Sequence, residues 1–392
     1  MKKIFFLLLF IGFAISTFSQ TAEEKQALDL FQNGKTTEAA TAFEKILAAN
    51  PSNLNAINAL GLIYLELGKN QEAYTVSSKG LAISKNDDNL SINKARAAVK
   101  IGKTDEAITL MDACIALDAQ FFMPYYVKGL AFDAQDKIQL AIGMYSKAIQ
   151  FNPNFPNAYL ERGNGFKSIS RYQQAIADYD KVLYLAPESN EVYNMRGIAY
   201  DELEKYDNAI ADYTKAIAYG NFNALTNRGV VYIEQGKYDL AKADFNKAIS
   251  INPKRADDAY YNLADVLEKE QQNNDALTNI EKAVALKPKS TLYQSMYAKI
   301  LLGLNKHNEA LAATEKVLTI DAKNRDGFIF KATALSNLKR YDEAIKTITE
   351  GINEYPDFHL MYALRGFIYK QMGKTELAAA DNAKAKQLGT KN

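Results

Sequence analysis

The chain has 392 residues, 48% of them hydrophobic, and carries 47 basic against 46 acidic side chains. That apolar content is ample for one or more buried cores, and the near-zero charge balance excludes a global cationic field for nucleic acid or anionic lipid. One cysteine, Cys114, excludes an intramolecular disulfide framework.

In chain order, Met1-Lys2-Lys3 is a short basic run, followed by an apolar stretch from Ile4 to Ile15 and then by Ser16, Thr17 and Ser19. This is the grammar of a secretory signal, residues 1–19, with Thr17 and Ser19 as the small residues before a cut at Gln20. The apolar run is shorter than the roughly 20 residues of a spanning helix, so the mature protein is expected not to be integral to a membrane. No cysteine stands near the cut to carry a lipid. The segment resembles short Gram-negative bacterial signals, which implies an exported protein of the periplasm or cell envelope.

From there a repeat takes over. Alanines recur at Ala39, Ala73, Ala107, Ala141, Ala175, Ala209, Ala241, Ala276, Ala310, Ala344 and Ala378. The interval is 34 residues except for 32 between Ala209 and Ala241 and 35 between Ala241 and Ala276, changes that inter-helix turns absorb cheaply. Twelve residues before each alanine stands a second small residue: Ala27, Gly61, Ala95, Gly129, Gly163, Gly197, Gly229, Ala264, Ala298, Ala332 and Gly366. Apolar residues at helical spacing surround both sites, with a break such as Gly68-Lys69 or Gly236-Lys237 between them. Each unit therefore reads as helix A, turn, helix B.

All eight prolines fall at joints, as proline chemistry requires: Pro51, Pro153, Pro187, Pro253, Pro288 and Pro356 close a helix B, and Pro124 and Pro156 open a helix A. Two small residues per unit meet a packing demand where A and B cross. Tyr200, Tyr213, Tyr232 and Phe245 are expected to fill core rather than form a ligand cage. Thr21-Ala22-Glu23-Glu24 predicts a capping box at the first helix. Asp381, Asn382, Lys384, Lys386 and Gln387 predict a water-facing last helix.

The stretches Asn194-Met195-Arg196-Gly197-Ile198-Ala199-Tyr200 with Tyr206-Asp207-Asn208-Ala209-Ile210, and Asn227-Arg228-Gly229-Val230-Val231-Tyr232 with Gly236-Lys237-Tyr238, resemble the tetratricopeptide repeat. The chain departs from the family in lacking tryptophan; Tyr125, Tyr159, Tyr193, Tyr260 and Tyr362 stand where the family often has it. The resemblance implies an all-α fold, a right-handed superhelical α-solenoid with A helices on its concave face. Eleven units, starting near residues 20, 54, 88, 122, 156, 190, 222, 257, 291, 325 and 359, are expected to fill residues 20–392 without a catalytic domain.

Chemical motifs point the same way. His307, placed in an inter-helix turn, and His359, at a helix start, lack ligand spacing, so neither metal nor cofactor is expected. Cys114 reads as a core residue and Gly163-Asn164-Gly165 as part of a helix A rather than a phosphate loop. No nucleophile, acid or base set converges, and the expectation is no enzyme and no catalytic residue.

On the concave face, a stripe of the fifth to eighth units collects Asn157, Glu161, Asn164, Glu191, Asn194, Asp201, Glu202, Asn223, Asn227, Glu234, Asp258, Asn262, Asp265 and Glu268, with Lys167 and Lys269 as its basic members. Amides suit the backbone of an extended peptide and carboxylates its basic side chains. The competing reading is a merely solvated face. The third unit differs, with Lys94, Arg96 and Lys100 as a basic patch. The function expected is an exported scaffold or adaptor for protein or peptide partners, with a carbohydrate or cell-wall binding solenoid as the alternative; exposed tyrosines on the A face would favour the latter.

Overall fold

The computed structural model describes residues 21–389; the expected signal, 1–19, lies outside them. The described residues form twenty-two α-helices and no strand. The chain divides into two compact units, one ending at Glu204 and one beginning at Lys205. The first unit contains α1 (Ala22–Gln32), α2 (Thr36–Ala49), α3 (Leu54–Glu66), α4 (Asn70–Ile83), α5 (Asp88–Lys100), α6 (Thr104–Leu117), α7 (Phe122–Asp133), α8 (Ile138–Phe151), α9 (Pro156–Ser168), α10 (Tyr172–Leu185) and α11 (Asn190–Asp201). The second contains α12 (Tyr206–Ala218), α13 (Asn223–Glu234), α14 (Tyr238–Ile251), α15 (Asp257–Lys269), α16 (Asn273–Leu286), α17 (Thr291–Gly303), α18 (His307–Ile320), α19 (Arg325–Asn337), α20 (Tyr341–Glu354), α21 (His359–Gln371) and α22 (Thr375–Gly389). Odd-numbered helices are the A helices, even-numbered ones the B helices.

Local chemistry explains the boundaries. Thr21 Oγ1 accepts from the Glu24 amide at 3.2 Å while Glu24 Oε2 accepts from the Thr21 amide at 3.0 Å, the reciprocal capping box. Asn53, Asp87, Ser290 and Asn324 cap α3, α5, α17 and α19 in the same sense, each accepting a first-turn amide. Every A-to-B turn passes through one residue in the left-handed region: Gly34, Gly68, Gly102, Asp136, Ser170, Glu204, Gly236, Gln271, Asn305, Lys339 and Gly373. The next residue then donates its amide back into the helix, as Lys69 does to Tyr64 O and Gln272 to Leu267 O, both at 2.8 Å. This closes the helix whether or not a glycine is present.

The two irregular intervals fall at B-to-A joints. After α12 the chain turns at Gly220, φ 91°, with the Asn221 amide bonded to Ala216 O at 2.8 Å. After α14 the added residue is taken up by a single 3-10 turn, Pro253–Arg255. His307 is the first residue of α18 rather than part of the turn before it, because Lys306 already serves as that helix's N-cap.

Both small positions are buried in all eleven repeats. A β-carbon at Gly129 would lie 2.5 Å from Tyr145 Cε1, at Gly163 2.8 Å from Tyr179 Cε1, and at Gly229 2.4 Å from Phe245 Cε1. No real β-carbon approaches so closely, so a ring at this B position demands glycine opposite it. Where the B residue is Met111, Ile280, Thr314 or Ile348, the A site is alanine: Ala95, Ala264, Ala298 and Ala332. The first, second and last repeats depart from this rule: Phe43 stands opposite Ala27, Ser77 opposite Gly61 and Asn382 opposite Gly366.

A second cross-link has no apolar signature. Arg162 on α9 donates from Nε and Nη2 to both Asp178 oxygens at 2.8 and 2.7 Å, and from Nη1 to Ser146 Oγ at 3.1 Å. Arg228 does the same with Asp244 and Thr214, and Arg365 with Asp381 and Thr349. Each arginine thus ties an A helix to the B helices on either side of it, with the planar two-pronged geometry that arginine and carboxylate share. Asp381 was expected to face water, but it is 8% exposed because Arg365 holds it. Asn382, Lys384, Lys386 and Gln387 are exposed as expected.

Candidate partner-binding faces of the A helices

In the first unit, Asn157, Glu161 and Asn164 share one face of α9, since positions three and four apart on a helix are neighbours, and all three are half-buried. Glu161 Oε2 accepts from Asn164 Nδ2 at 3.2 Å, and Asn164 Oδ1 accepts from the Tyr179 hydroxyl at 2.9 Å. Burial pushes the Glu161 carboxyl above the usual glutamate range; Asp133 adds to the effect, and the Asn164 amide and Lys100 only partly offset it. Burial, with the Glu161 charge, likewise raises the hydroxyls of Tyr126, Tyr145 and Tyr179. Asp133 is raised by burial and by Asp136. One partly exposed carboxylate therefore acts on three tyrosine hydroxyls.

Other members of the stripe sit differently. Glu191 and Glu202 are exposed near the two ends of α11, with Asn194 and Asp201 half-buried between them. The basic patch expected in the third repeat is not an open one. Lys94 pairs with Glu106 at 2.8 Å, and burial lowers the Arg96 guanidinium against the opposing charges of Tyr126 and Glu66. Only Lys100 is exposed. Between α3 and α5 the A-helix faces are joined by amides, Asn93 donating to Asn58 O at 3.2 Å and to Asn58 Oδ1 at 2.6 Å.

In the second unit, Asn223 and Glu234 are exposed at the two ends of α13 and Asn227 is half-buried. On α15 the carboxylates already have partners. Asp265 pairs with Lys269 at 2.7 Å and Glu268 with Lys299 at 3.0 Å, while the Tyr293 hydroxyl lies 2.5 Å from Asp258 Oδ1 and 2.9 Å from Asp257 Oδ2. Burial opposes ionisation of Asp257, but the bonds from Lys287 and Tyr293 outweigh it and hold its carboxyl below the usual range. Asn262, half-buried, shares this face.

Cys114 is 4% exposed in the core, and burial, with the charge of Asp88, pushes its thiol up to about 11, which suits packing rather than nucleophilic attack. Gly163 and Gly165 are buried inside α9. Among the described residues no three His, Cys, Asp or Glu side chains gather as a metal site, and no helix is long and apolar enough to cross a membrane.

Tandem A–B hairpins whose repeated small residues lock each pair together define a helical-repeat α-solenoid. Family profiles add the name: one described as tetratricopeptide repeat matches residues 222–255, and a second of the same description matches 92–159 and 157–224. A profile described as anaphase-promoting complex, cyclosome, subunit 3 matches 26–114 and 269–351. The chain belongs to the tetratricopeptide-repeat family. No curated protein matches it. Among solved structures, MamA residues 41-end from Desulfovibrio magneticus RS-1 is 21% identical, with a TM-score of 0.40 over 42% of this chain and 95% of that one. A double mutant of MamA RS-1 gives the same identity and score over 94% of its length. YrrB, described as a TPR protein with an unusual peptide-binding site, is 21% identical, with a TM-score of 0.40 over 47% of this chain and 95% of that one.

Proposed function

We propose that the protein is an exported adaptor of the periplasm or cell envelope that holds a protein or peptide partner in extended form on its A-helix faces. The observation that carries this reading is the face of α9, where Asn157, Glu161 and Asn164 present two amides and an incompletely compensated carboxylate, all half-buried. An asparagine amide donates and accepts at once, as a peptide backbone requires, and a carboxylate in a partly desolvated setting favours a basic side chain. The carbohydrate alternative asks for exposed tyrosines on these faces; among other rings Phe367, on the A helix α21, is 51% exposed. Tyrosines of the A helices are buried or half-buried, and Tyr184, at 79% exposure, is on the B helix α10.

A photo-crosslinking residue at Asn157, with Lys147 on the B helix α8 as control, tests the reading in the native host. Cross-linked partner peptides are expected from position 157 and not from 147, and the reverse pattern would move the binding surface to the B helices. Intact-mass measurement of the exported material is expected to give a chain starting at Gln20; a product retaining residues 1–15 would mean a tether instead.

A further inference from the structure

The B-helix residue that packs over each small A site is aromatic in several repeats, and most of its variation is steric. Phe43 and Phe245 show that a ring without a hydroxyl fills this position completely. Tyr179 carries a hydroxyl and uses it, donating to Asn164 Oδ1 at 2.9 Å. One repeat earlier, the residue corresponding to Asn164 is Leu130, which offers no acceptor. The Tyr145 hydroxyl accordingly has no hydrogen-bond partner although the residue is only 1% exposed. Burying an unpaired hydroxyl costs free energy that phenylalanine would avoid.

The surroundings of Tyr145 say what would answer it. Its hydroxyl lies in the field of Glu161, Asp133 and Tyr126. The Tyr126 ring is 6.0 Å from the Tyr145 ring and its hydroxyl also senses Arg96. Glu161 also feels Lys100, and Arg96 feels Glu66. Across this cluster three carboxylates face two cations, and Asp136 at the nearby turn adds further negative charge. A bound cation reduces that excess of negative charge. It would supply the N–H donors that the Tyr145 oxygen and the outer oxygen of Glu161 lack, and its apolar stem would lie on aromatic faces that favour cations.

We propose that Glu161 and Tyr145, flanked by Tyr126, Asp133 and Tyr179, form a subsite for the basic side chain of a bound peptide. The proposal deepens the adaptor reading and rests on it. The cation enters beside the partly exposed Glu161 carboxylate, and its second donor goes to the Tyr145 oxygen behind.

The test uses the blocked amino acids N-acetyl-lysine methylamide and N-acetyl-arginine methylamide, with N-acetyl-norleucine methylamide as the uncharged control, titrated into protein with isotope-labelled tyrosine. Saturable shifts of the Tyr126, Tyr145 and Tyr179 ring signals are expected with a charged probe and not with norleucine. Glu161→Gln is expected to abolish them. Tyr145→Phe is expected to weaken binding about tenfold, the loss of one charge-assisted hydrogen bond, with melting unchanged or raised. Absence of saturable shifts with both charged probes, or equal binding by either variant, overturns the subsite. Cross-linking from Asn157 that persists in that event leaves the adaptor reading in place; probe binding without any cross-linked partner leaves the subsite and removes the adaptor.

Discussion

The A-helix faces of α9 and α15 belong to the same stripe of acids and asparagines, one acid with two asparagines on α9 and three acids with one asparagine on α15, and differ in what each carboxylate already touches. On α15, Asp265 and Glu268 have lysines at 2.7 and 3.0 Å, and Asp258 has the Tyr293 hydroxyl. On α9, Glu161 has one amide, and burial, with the charge of Asp133, raises its carboxyl against a partial offset from Lys100. The difference teaches that the number of acids along a stripe does not measure its capacity for a basic ligand. What matters is charge left without an internal partner and partly withdrawn from water.

The sharpest way to break this comparison is to neutralise both faces separately. Glu161→Gln should reduce capture of a basic peptide by on the order of 2–5 kcal/mol, the range for removing one side of a desolvated charge contact, whereas Asp265→Asn should change it about twofold or less. Fluorescence anisotropy with a labelled basic peptide identified by cross-linking would measure both. Equal losses would place the ligand across pairs already formed and void the distinction.

Next in size is a steric test. Gly129→Ala puts a β-carbon against the Tyr145 ring and should destabilise by roughly 1–3 kcal/mol in chemical denaturation. Adding Tyr145→Met, which recreates the Ala95 and Met111 pairing of the repeat before, should recover most of that loss while leaving the peptide site empty of its hydroxyl. A double variant no more stable than Gly129→Ala alone would mean that the complementarity of the two positions is not the cause.

The electrostatic contrast should also appear in stability against pH. Because the folded chain holds the Glu161 carboxyl above its ordinary value, the group's contribution is complete below about pH 4 and is lost as pH rises through the elevated value. The groups facing it are Asp133, which acts in the same direction, and Lys100, the Asn164 amide and the three tyrosines. Glu161→Gln should therefore melt above the parent at pH 7 and level with it at low pH, the opposite of what removal of a stabilising ion pair does.

On α17, Lys299→Met removes such a pair with Glu268 and should cost about 0.2–1 kcal/mol, screened by salt. The smallest effect is expected at the turn after α15. Gln271, φ 61°, pays left-handed strain of about 1 kcal/mol. Gln271→Gly relieves it, less the roughly 0.5–1 kcal/mol of extra unfolded-chain entropy that glycine brings, for a net gain of a few tenths.

Much of the architecture was legible in the sequence because it follows from volume. Helices that cross closely exclude side chains, so small residues recur at fixed spacing, and the two irregular intervals fall at inter-helix joints. The capping box at Thr21 and the joint positions of Pro51 and Pro156 were legible because they depend on near neighbours. Less visible was anything set by a partner far along the chain. Arg162 with Asp178, sixteen residues on and repeated at Arg228 and Arg365, left a spacing signal that apolar periodicity does not carry, and Asp381 was assigned to solvent for that reason. Whether Asp265 or Glu161 is the available acid depends on Lys269, an exposed residue on the same helix as Asp265, and on the burial of Glu161 beside Asp133, a residue of the preceding A helix. The orphan hydroxyl of Tyr145 was invisible because it arises from an absence, a leucine at 130 where an acceptor would be.

From the third repeat to the tenth, the steric match of glycine with a ring and of alanine with a side chain that has none also bears on how such an array can grow or shrink. A recombination event that cuts between α7 and α8 would deliver an alanine-bearing A helix to a tyrosine-bearing B helix, or leave a glycine opposite a residue too small to fill it. Cuts at the B-to-A joints keep each matched pair together as a cassette. Lineages that lengthen or shorten this array should therefore preserve whole hairpins, and their breakpoints should cluster at the proline-marked joints rather than at the left-handed turns.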